Sequence, residues 1–505
     1  MSIYITTPIF YASGNPHLGH AYSGFIADAL KRYYQLKGTD AFLLTGTDEN
    51  GQKIEQTAKL LDEDLEQFVE NNSLLFRNLW KNLNITPDQF VRTTGAHHHQ
   101  TVIEIWQKLF ANGDIYLGQY EGHYCVECEQ YYSEWQLHNN CCPIHNKPVD
   151  IVSEPSYLFR LDKYREKLLE IHTSRSLIVA SRYFQKQLIH YLQQPKIDDL
   201  SISRTNTTWG IKVPNNDRHT IYVWLDALFS YLTALRSLTK TNQSLAQTIH
   251  VIGKDILQFH GIYWPAFLLA ADLPLPEKII VHGWWTLEGH KISKSNPLTS
   301  IDTERLVKST TVDGLRYGLL LQKPVDRDGN LKIADLCETI NSDLANNLGN
   351  LVKRFATLVD KHFTGHIVWK QDADLAESST QLIKAANTSI SLIDKAYASC
   401  DFQNACVLIN RIISKTNAYI HAREPWKLNN PRKTSDVEET LCVVHAVLKI
   451  IYTLYWPIIP GISRKIHYQL RQEQHVPAWP IECEITDIHI RSPETIFERI
   501  PINIS

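Results

Sequence analysis

Residues 16–20 read Pro-His-Leu-Gly-His and follow an apolar run at the start of the chain. A glycine lets the backbone approach a ligand closely, and a helix beginning near His20 would offer unpaired amides and a positive dipole end to phosphate. His17 and His20 can donate hydrogen bonds from ring nitrogens to phosphoryl oxygens. Alone, this spacing could equally be a helix entry with one satisfied histidine.

A second polar cluster, at residues 291–295, reads Lys-Ile-Ser-Lys-Ser. Lys291 and Lys294 supply mobile cationic groups, which suit a pyrophosphate leaving group. A polar loop with lysines is often only solvated surface. A strand and hairpin predicted over residues 279–287 would aim this loop at the sheet, so the two clusters together predict a split site for ATP.

Four of the nine cysteines fall within residues 125–142. Cys125 and Cys128 form a C-x2-C pair, and, after thirteen intervening residues, Cys142 and His145 form a C-x2-H pair. Four such ligands in two tight turns suit a tetrahedral zinc ion with a structural role. Cys141 could replace Cys142, but a proline follows Cys142, as in the usual knuckle turn.

The 505 residues, 43% hydrophobic and 21% charged, predict an ordinary globular protein of two to four domains. A net charge of −3 gives no global sign of nucleic-acid binding, so RNA contacts would depend on local basic faces. The sequence predicts no signal peptide and no membrane span, and therefore a cytoplasmic location.

Strands alternate with helices in two stretches that must position these clusters. The pattern predicts an α/β fold: a Rossmann-like parallel-sheet catalytic domain with an inserted zinc-knuckle connective domain, followed by an α-helical bundle. The return of the α/β pattern is predicted at strands 221–224, 248–252 and 278–281. The predicted domains are residues 1–115 (first catalytic half), 116–205 (insertion), 206–300 (second half), 301–345 (linker) and 346–505 (helical domain).

The two polar clusters resemble the HIGH and KMSKS signatures of class I aminoacyl-tRNA synthetases, with Leu18 and Ile292 at variable positions. That resemblance implies that ATP is bound by His17, Gly19, His20, Lys291 and Lys294. The same residues would stabilise the in-line attack of an amino-acid carboxylate on the α-phosphate. Gly253 and Asp255 are similar to the family's contacts with adenosine.

A single knuckle between two catalytic halves resembles the methionyl-tRNA synthetases. An unbranched thioether needs an apolar slot, aromatic walls and one anionic group for its ammonium. The resemblance places the methionine pocket at Tyr11, Asp48, Trp224, Ala227, Tyr231, Ile256 and His260, and Ile9 is a further candidate from its position before the first cluster. Asp48 would bind the ammonium, and His260 and Tyr11 would lie near the sulfur. Leu228 stands where some members have proline.

The helical end carries a pattern suited to reading bases. Asn350 and Arg354 lie at i and i+4, so a helix presents both on one face, while Trp426 could stack on a splayed base. These positions resemble the anticodon-recognition residues of methionyl-tRNA synthetases. Read without that context, they could be a helix pair with a buried tryptophan. We expect the run 97–99, three histidines, to be surface.

The expected function is a methionine–tRNA ligase that makes methionyl-adenylate from L-methionine and ATP, with Mg²⁺, and transfers methionyl to the 3′-terminal adenosine of initiator and elongator tRNA(Met). We expect a monomer, because no further domain follows the helices, and no membrane partner. Two alternatives use parts of the same pattern. A related nucleotidyltransferase would not need the helical end, and a zinc-dependent RNA-binding module would show no pyrophosphate exchange.

Overall fold

A computed structural model describes residues 2–125, 130–132, 137–143, 147–239, 242–292, 302–370, 374–427, 431–471, 477–480 and 482–502. The chain divides into two compact units. The first contains residues 1–27 and 41–283, and the second contains residues 28–40 and 284–505.

The strands, in chain order, are β1 Ser2–Tyr11, β2 Asp40–Asp48, β3 Gln89–Arg92, β4 Ile115–Cys125, β5 Gln130–Tyr132, β6 Asp150–Phe159, β7 Ile178–Val179, β8 Leu200–Ser201, β9 Ser203–Arg204, β10 Lys212–Val213, β11 Asn216–Ile221, β12 Thr248–Gly253, β13 Lys278–His282, β14 Trp285–Leu287, β15 His290–Lys291, β16 Gly329–Asn330, β17 His366–Ile367 and β18 Ile488–His489.

The helices are α1 Leu18–Leu36, α2 Gln52–Leu60, α3 Leu65–Asn82, α4 Ala96–Ala111, α5 Arg165–Ser174, α6 Arg182–Leu192, α7 Val223–Leu238, α8 Trp264–Ala270, α9 Thr303–Thr310, α10 Val312–Leu321, α11 Ile333–Ile340, α12 Asn350–Phe363, α13 Glu377–Ala398, α14 Phe402–Arg423, α15 Pro431–Tyr455 and α16 Pro460–Gln469. Two π-helical turns occur, at Phe259–Tyr263 and Asn341–Gly349.

A six-stranded sheet in the order β3-β2-β1-β12-β13-β7 forms the centre of the first unit. The pairs β2–β3, β1–β12, β12–β13 and β13–β7 are parallel. Every residue of β12 is buried, as is typical of a parallel strand covered on both faces. The Rossmann-like parallel sheet predicted from the sequence is therefore confirmed.

The prediction of a sheet strand at residues 221–224 was wrong. β11 ends at Ile221 and pairs antiparallel with β9 and β10 in a separate small sheet, while Val223 already begins α7. Twelve residues of α7 are buried, so its apolar run has the composition of a buried strand. A short continuous apolar run does not distinguish a strand from a buried helix by periodicity.

The tyrosine-rich segment that follows α4 forms an antiparallel sheet in the order β5-β4-β6-β8. β4 and β6 pair over ten residues, from Ile115 opposite Phe159 to Tyr124 opposite Asp150. Cys125, the first residue of the predicted zinc-knuckle motif, is the last residue of β4. This sheet therefore fixes the position of the backbone at which the predicted motif begins.

Helices make up most of the second unit. α14 packs against both α13 and α15, and α15 packs against α16. Apolar side chains of these helices, including Ile409, Ile413 and Leu441, are fully buried. The predicted helical end is confirmed. This unit contains a buried charge cluster, in which Arg316 contacts Asp28 at 2.5 Å and Arg32 contacts the same carboxylate at 2.7 Å.

Candidate active site

The first histidine cluster forms the turn between β1 and α1. His17 and His20 lie ring to ring, with centroids 3.8 Å apart, and Phe10 meets His20 edge-on at 4.9 Å. The backbone N–H of His17 donates to Nδ1 of His20 at 2.9 Å, and that of Gly19 donates to Nδ1 of His17 at 3.0 Å. A Cβ on residue 19 would lie 2.8 Å from Cε1 of His17, so this packing needs glycine.

Polar residues 48–50 lie at the end of β2 and just after it, and all three are buried. Arg92 donates to Oε1 of Glu49 at 2.8 Å, and Thr47 donates to the same oxygen at 2.6 Å. Gly51 has a φ of 104°, a left-handed conformation that lets the chain turn from this edge into α2. Asp48, the residue predicted to bind an ammonium group, thus lies at the carboxyl end of a central strand.

Asp226 joins this edge to α7, and sequence reasoning did not assign it a role. Nδ2 of Asn50 donates to Oδ2 of Asp226 at 2.7 Å, and Nε2 of His98 lies 2.5 Å from Oδ1. The other nitrogen of His98 lies 2.9 Å from Oγ1 of Thr233. The expectation that residues 97–99 are surface was therefore wrong for His98, which is 1% exposed.

An aromatic wall is formed by Trp224 and Phe259. Their ring centroids lie 3.6 Å apart and the planes differ by 16°. Trp224 is half-buried in the first turn of α7, and Phe259 begins the π-helical turn. Such turns often occur at functional sites, because the extra residue redirects neighbouring side chains. Ala227 and Leu228 follow on α7 and are buried.

Tyr231 and His260 form a buried polar pair. The phenol oxygen lies 2.7 Å from Nε2 of His260, and Nδ1 of His260 lies 3.0 Å from the carbonyl oxygen of Ile256. A carbonyl only accepts, so Nδ1 carries the proton and the Tyr231 hydroxyl donates to Nε2. Burial lowers the pKa of His260 to about 4, and burial raises the pKa of Tyr231. Both side chains are therefore neutral at pH 7.

The turn after β12 contains Gly253 and Asp255. A Cβ on residue 253 would lie 2.5 Å from Oδ1 of Asp255, so the carboxylate lies directly against the glycine backbone. Nearby, Ser23 of α1 and Nε2 of His282, the last residue of β13, are 2.8 Å apart. This bond joins the first turns of α1 to the carboxyl end of β13.

The remaining predicted pocket residues, Ile9 and Tyr11, lie at the end of β1 and are half-buried. A Cβ on residue 46 of β2 would lie 2.9 Å from Cγ2 of Ile9, and the ammonium of Lys53 lies 5.9 Å from the Tyr11 ring centroid. In the first unit, the turn at residues 17–20, residue 48 and the turn after β12 therefore lie at the carboxyl ends of β1, β2 and β12 in one sheet. The start of α7 contacts the turn after β12 through Trp224 and Phe259.

The second cluster is only partly within the described residues. Lys291 ends the β14–β15 hairpin, where it pairs with Thr286, and Ile292 is buried. Residues 293–301, including Lys294, lie outside the described residues. The hairpin pairs β14 with β15 and therefore ends at Lys291, not at residue 287 as predicted. The placement of the lysine side chains stays a prediction.

Two of the four predicted zinc ligands are described. Cys125 and Cys142 are each 1% exposed and pack in one cluster with Tyr132, whose hydroxyl lies 3.6 Å from Sγ of Cys142. Cys141 is only partly buried. Cys128 and His145 lie outside the described residues, and within the described ranges no three metal-ligating side chains come together.

The three predicted anticodon residues lie in the second unit. Asn350 is the first residue of α12, and Arg354 is one turn further along; both are exposed. Trp426 follows α14 in a turn, is 41% exposed and lies 6.2 Å from the His421 ring. α12 packs against α14. The alternative interpretation, a helix pair with a buried tryptophan, is therefore wrong for Trp426.

Comparison with known proteins identifies the class first. The family model "tRNA synthetases class I (M)" matches residues 3–150 and 135–356, and the model "Anticodon-binding domain of tRNA ligase" matches residues 380–501.

Individual relatives narrow this class. The methionine–tRNA ligase of Bacillus subtilis is 36% identical over 99% of this chain and 78% of its own length, and that of Rickettsia felis is 40% identical over 92% and 91%. The solved Mycobacterium tuberculosis methionyl-tRNA synthetase in complex with methionyl-adenylate superposes with a TM-score of 0.93 at 33% identity, covering 99% of this chain and 100% of that chain. The chain belongs to the methionine–tRNA ligases of class I. Over the described residues, no helix is both long and apolar enough to cross a membrane.

Proposed function

We propose that this chain makes methionyl-adenylate from L-methionine and ATP at the strand ends of its parallel sheet, and then transfers methionyl to the 3′-terminal adenosine of tRNA(Met). The observation that carries this assignment is the Tyr231–His260 pair, which is buried, neutral and adjacent to the Trp224–Phe259 wall. A neutral aromatic pocket suits an uncharged, polarisable thioether.

ATP would bind along the turn at residues 17–20. Both imidazoles accept a backbone N–H at Nδ1, so the neutral rings carry their proton on Nε2, the nitrogen that can donate to phosphoryl oxygens. The start of α1 supplies further amide donors. Gly253 and Asp255 would hold the adenosine moiety. We assign Lys291 and Lys294 to the departing pyrophosphate, because mobile cations there would stabilise the charge that develops.

Methionine would lie with its ammonium at Asp48 and its side chain against Trp224, Ala227, Ile256 and the Tyr231–His260 pair, with Ile9 and Tyr11 closing the pocket from β1. The carboxylate would then attack the α-phosphate in line. Magnesium would accompany ATP and neutralise phosphate charge. Burial of Asp48 in the sheet edge supports this role, because a buried carboxylate favours a cationic partner.

A structural zinc ion would be held by Cys125, Cys128, Cys142 and His145. The two described cysteines fit, because they are buried in one cluster, whereas Cys141 lies outside it. A structural zinc ion of this kind stabilises the fold and takes no part in the reaction.

Asn350, Arg354 and Trp426 would read the anticodon of initiator and elongator tRNA(Met). Their exposure on neighbouring helical elements supports this proposal, since single-stranded bases are recognised by amide and guanidinium groups and by aromatic stacking. Replacing Trp426 with alanine should lower discrimination between methionine anticodons and others in charging assays. Unchanged discrimination would remove Trp426 from the site.

Further parts of the proposal concern the whole chain. We infer the domain division at residues 1–115, 116–205, 206–300, 301–345 and 346–505, a cytoplasmic location suited to tRNA charging, and a monomeric state.

Pyrophosphate exchange tests the reaction directly. Incorporation of labelled pyrophosphate into ATP, measured with each of the twenty amino acids, should depend on methionine alone. Exchange with another amino acid, or no exchange by folded protein, would reject the proposed activity. Charging of initiator and elongator tRNA(Met) would then separate a ligase from a related nucleotidyltransferase.

A further inference from the structure

A buried polar chain lies behind the Tyr231–His260 pair, in residues that the proposed reaction does not use. Thr6 of β1, His250 of β12 and Trp264 of α8 are each fully buried. The rings of Tyr231 and His250 are 4.4 Å apart, and those of Tyr231 and Trp264 are 5.9 Å apart. Three separate elements therefore converge on one tyrosine.

The hydrogen bonds of this chain run in one direction. Nε1–H of Trp264 donates to Nε2 of His250 at 3.1 Å, and an indole can only donate. Neutral His250 must then carry its proton on Nδ1, which lies 2.8 Å from the Thr6 hydroxyl and donates to it. Burial lowers the pKa of His250 well below its ordinary value, so the ring is neutral at pH 7.

The Thr6 hydroxyl keeps its own proton. Burial raises the pKa of Tyr231, and a smaller side-chain interaction with Thr6 lowers that pKa, as expected when the Thr6 hydroxyl donates to the phenol oxygen. The Tyr231 hydroxyl in turn donates to His260, and His260 donates to the Ile256 carbonyl. The Trp264 indole N–H at one end of this polar chain and the Ile256 carbonyl at the other end require the same donor-to-acceptor direction along it. Every donor is therefore used, and the position of the Tyr231 hydroxyl is fixed from two sides.

We propose that Thr6 and His250 are positioning residues that set the selectivity of the amino-acid pocket, by holding the Tyr231 hydroxyl and the His260 ring in one arrangement against the substrate thioether. The inference rests on the proposed pocket, in which Tyr231 and His260 face methionine. A polar hydroxyl held in place tolerates a polarisable sulfur better than a methylene at the same position. Loosening this hydroxyl should therefore weaken the preference for methionine over norleucine, which has a methylene in place of sulfur.

Two neighbouring threonines on β1 give a matched test. Thr6→Val removes the linking hydroxyl, while Thr6→Ser keeps it. Thr7→Val is the control, because Thr7 is equally buried but bonds the Pro8 carbonyl and Thr45 instead. Methionine-dependent and norleucine-dependent pyrophosphate exchange would be measured for each variant, with active-site titration to correct for misfolded protein.

We expect Thr6→Val to raise the methionine KM roughly tenfold, the effect of leaving a buried polar partner unpaired, with little change in the ATP KM. The ratio of methionine to norleucine kcat/KM should fall, Thr6→Ser should restore both values, and Thr7→Val should change neither. Equal loss with Thr6→Val and Thr7→Val, or no change in the ratio, would overturn the inference.

Two further measurements complete the test. Nitrogen-15 spectra of labelled histidine, assigned with His250→Asn, should show the Nδ1-protonated neutral form for His250, and the Nε2 form would contradict the chain. Trp224→Ala serves as the reference for the pocket itself. If Trp224→Ala raises the methionine KM and Thr6→Val does not, the positioning role fails alone; if neither variant does, the proposed pocket fails.

Discussion

Four histidines of the candidate site are held in opposite tautomers by their neighbours. His17 and His20 accept backbone N–H groups at Nδ1, so their protons lie on Nε2. His250 and His260 carry their protons on Nδ1. An indole N–H donates to Nε2 of His250, and a backbone carbonyl accepts from Nδ1 of His260. The first pair can donate to phosphate, whereas the second pair has its donors satisfied inside the protein. Residues of one type therefore serve two purposes, and local hydrogen bonds decide which.

The Trp224 indole provides the first residue-scale prediction. Trp224→Ala removes the partner stacked on Phe259 and one wall of the proposed pocket. Loss of such contact area should raise the methionine KM by roughly tenfold to a hundredfold. The ATP KM, measured in the same exchange assay, is the internal control. Equal effects on both KM values would argue against this pocket.

At the scale of elements, local sequence patterns predicted strands and helices, whereas contacts between residues far apart in the sequence could not be predicted. Apolar runs located β1, β12 and β13, and the helix predicted to begin near His20 begins at Leu18. The bond between Asn50 and Asp226 joins positions 176 residues apart, and that between His98 and Asp226 spans 128. The periodicity of apolar residues in the sequence does not indicate such pairings. The run 97–99 was predicted to be surface because consecutive side chains on a helix diverge and do not converge on one metal, yet the face of α4 that carries His98 packs on α7.

The packing of α12 on α15 buries an imidazole that has no hydrogen-bond partner among the described residues. His445 is 1% exposed and stacks on Phe355 at 6.0 Å. Burial lowers the pKa of His445 to about 3, whereas the unfolded chain would bind a proton near its ordinary value. The stability contributed by the neutral ring is therefore complete above about pH 6.5 and is lost as pH falls towards about 3.

His445→Leu should remove this acid sensitivity. Because the apolar side chain leaves no buried nitrogen unsatisfied, the variant should also be more stable at pH 7, by about 1 kcal/mol or more. Urea unfolding measured between pH 7 and pH 4 would show a shallower loss of unfolding free energy than in the parent. His421→Gln, at an exposed position of α14, is the control. An unchanged pH slope in His445→Leu would contradict the assignment.

The knuckle beyond β4 provides a second element-scale prediction. Cys142→Ser should lose the zinc ion and loosen residues 116–205, since a structural zinc site contributes folding energy directly. Cys141→Ser, at the adjacent and more exposed thiol, should keep the metal. Zinc content and limited proteolysis, with methionine-dependent exchange, would measure both effects. Zinc retained in Cys142→Ser but lost in Cys141→Ser would exchange the two assignments, and an intact fold after complete zinc removal would exclude the structural role.

For the whole molecule, the net charge of −3 makes non-specific attraction of RNA weak, so we expect tRNA recognition to depend on local contacts, of which Arg354 is a proposed one. Binding through few phosphates gives a modest salt dependence, of roughly 0.7 log units of affinity per log unit of salt for each single-strand contact. We therefore expect the KM for tRNA(Met) to rise with potassium chloride, while methionine-dependent exchange changes much less. If Arg354 contacts a phosphate, Arg354→Gln should reduce the slope by about 0.7, and if it reads a base edge the slope should stay while anticodon discrimination falls. Parent and variant charging rates, measured across the same salt series, distinguish these outcomes. A variant that matches the parent in both slope and discrimination would remove Arg354 from the interface.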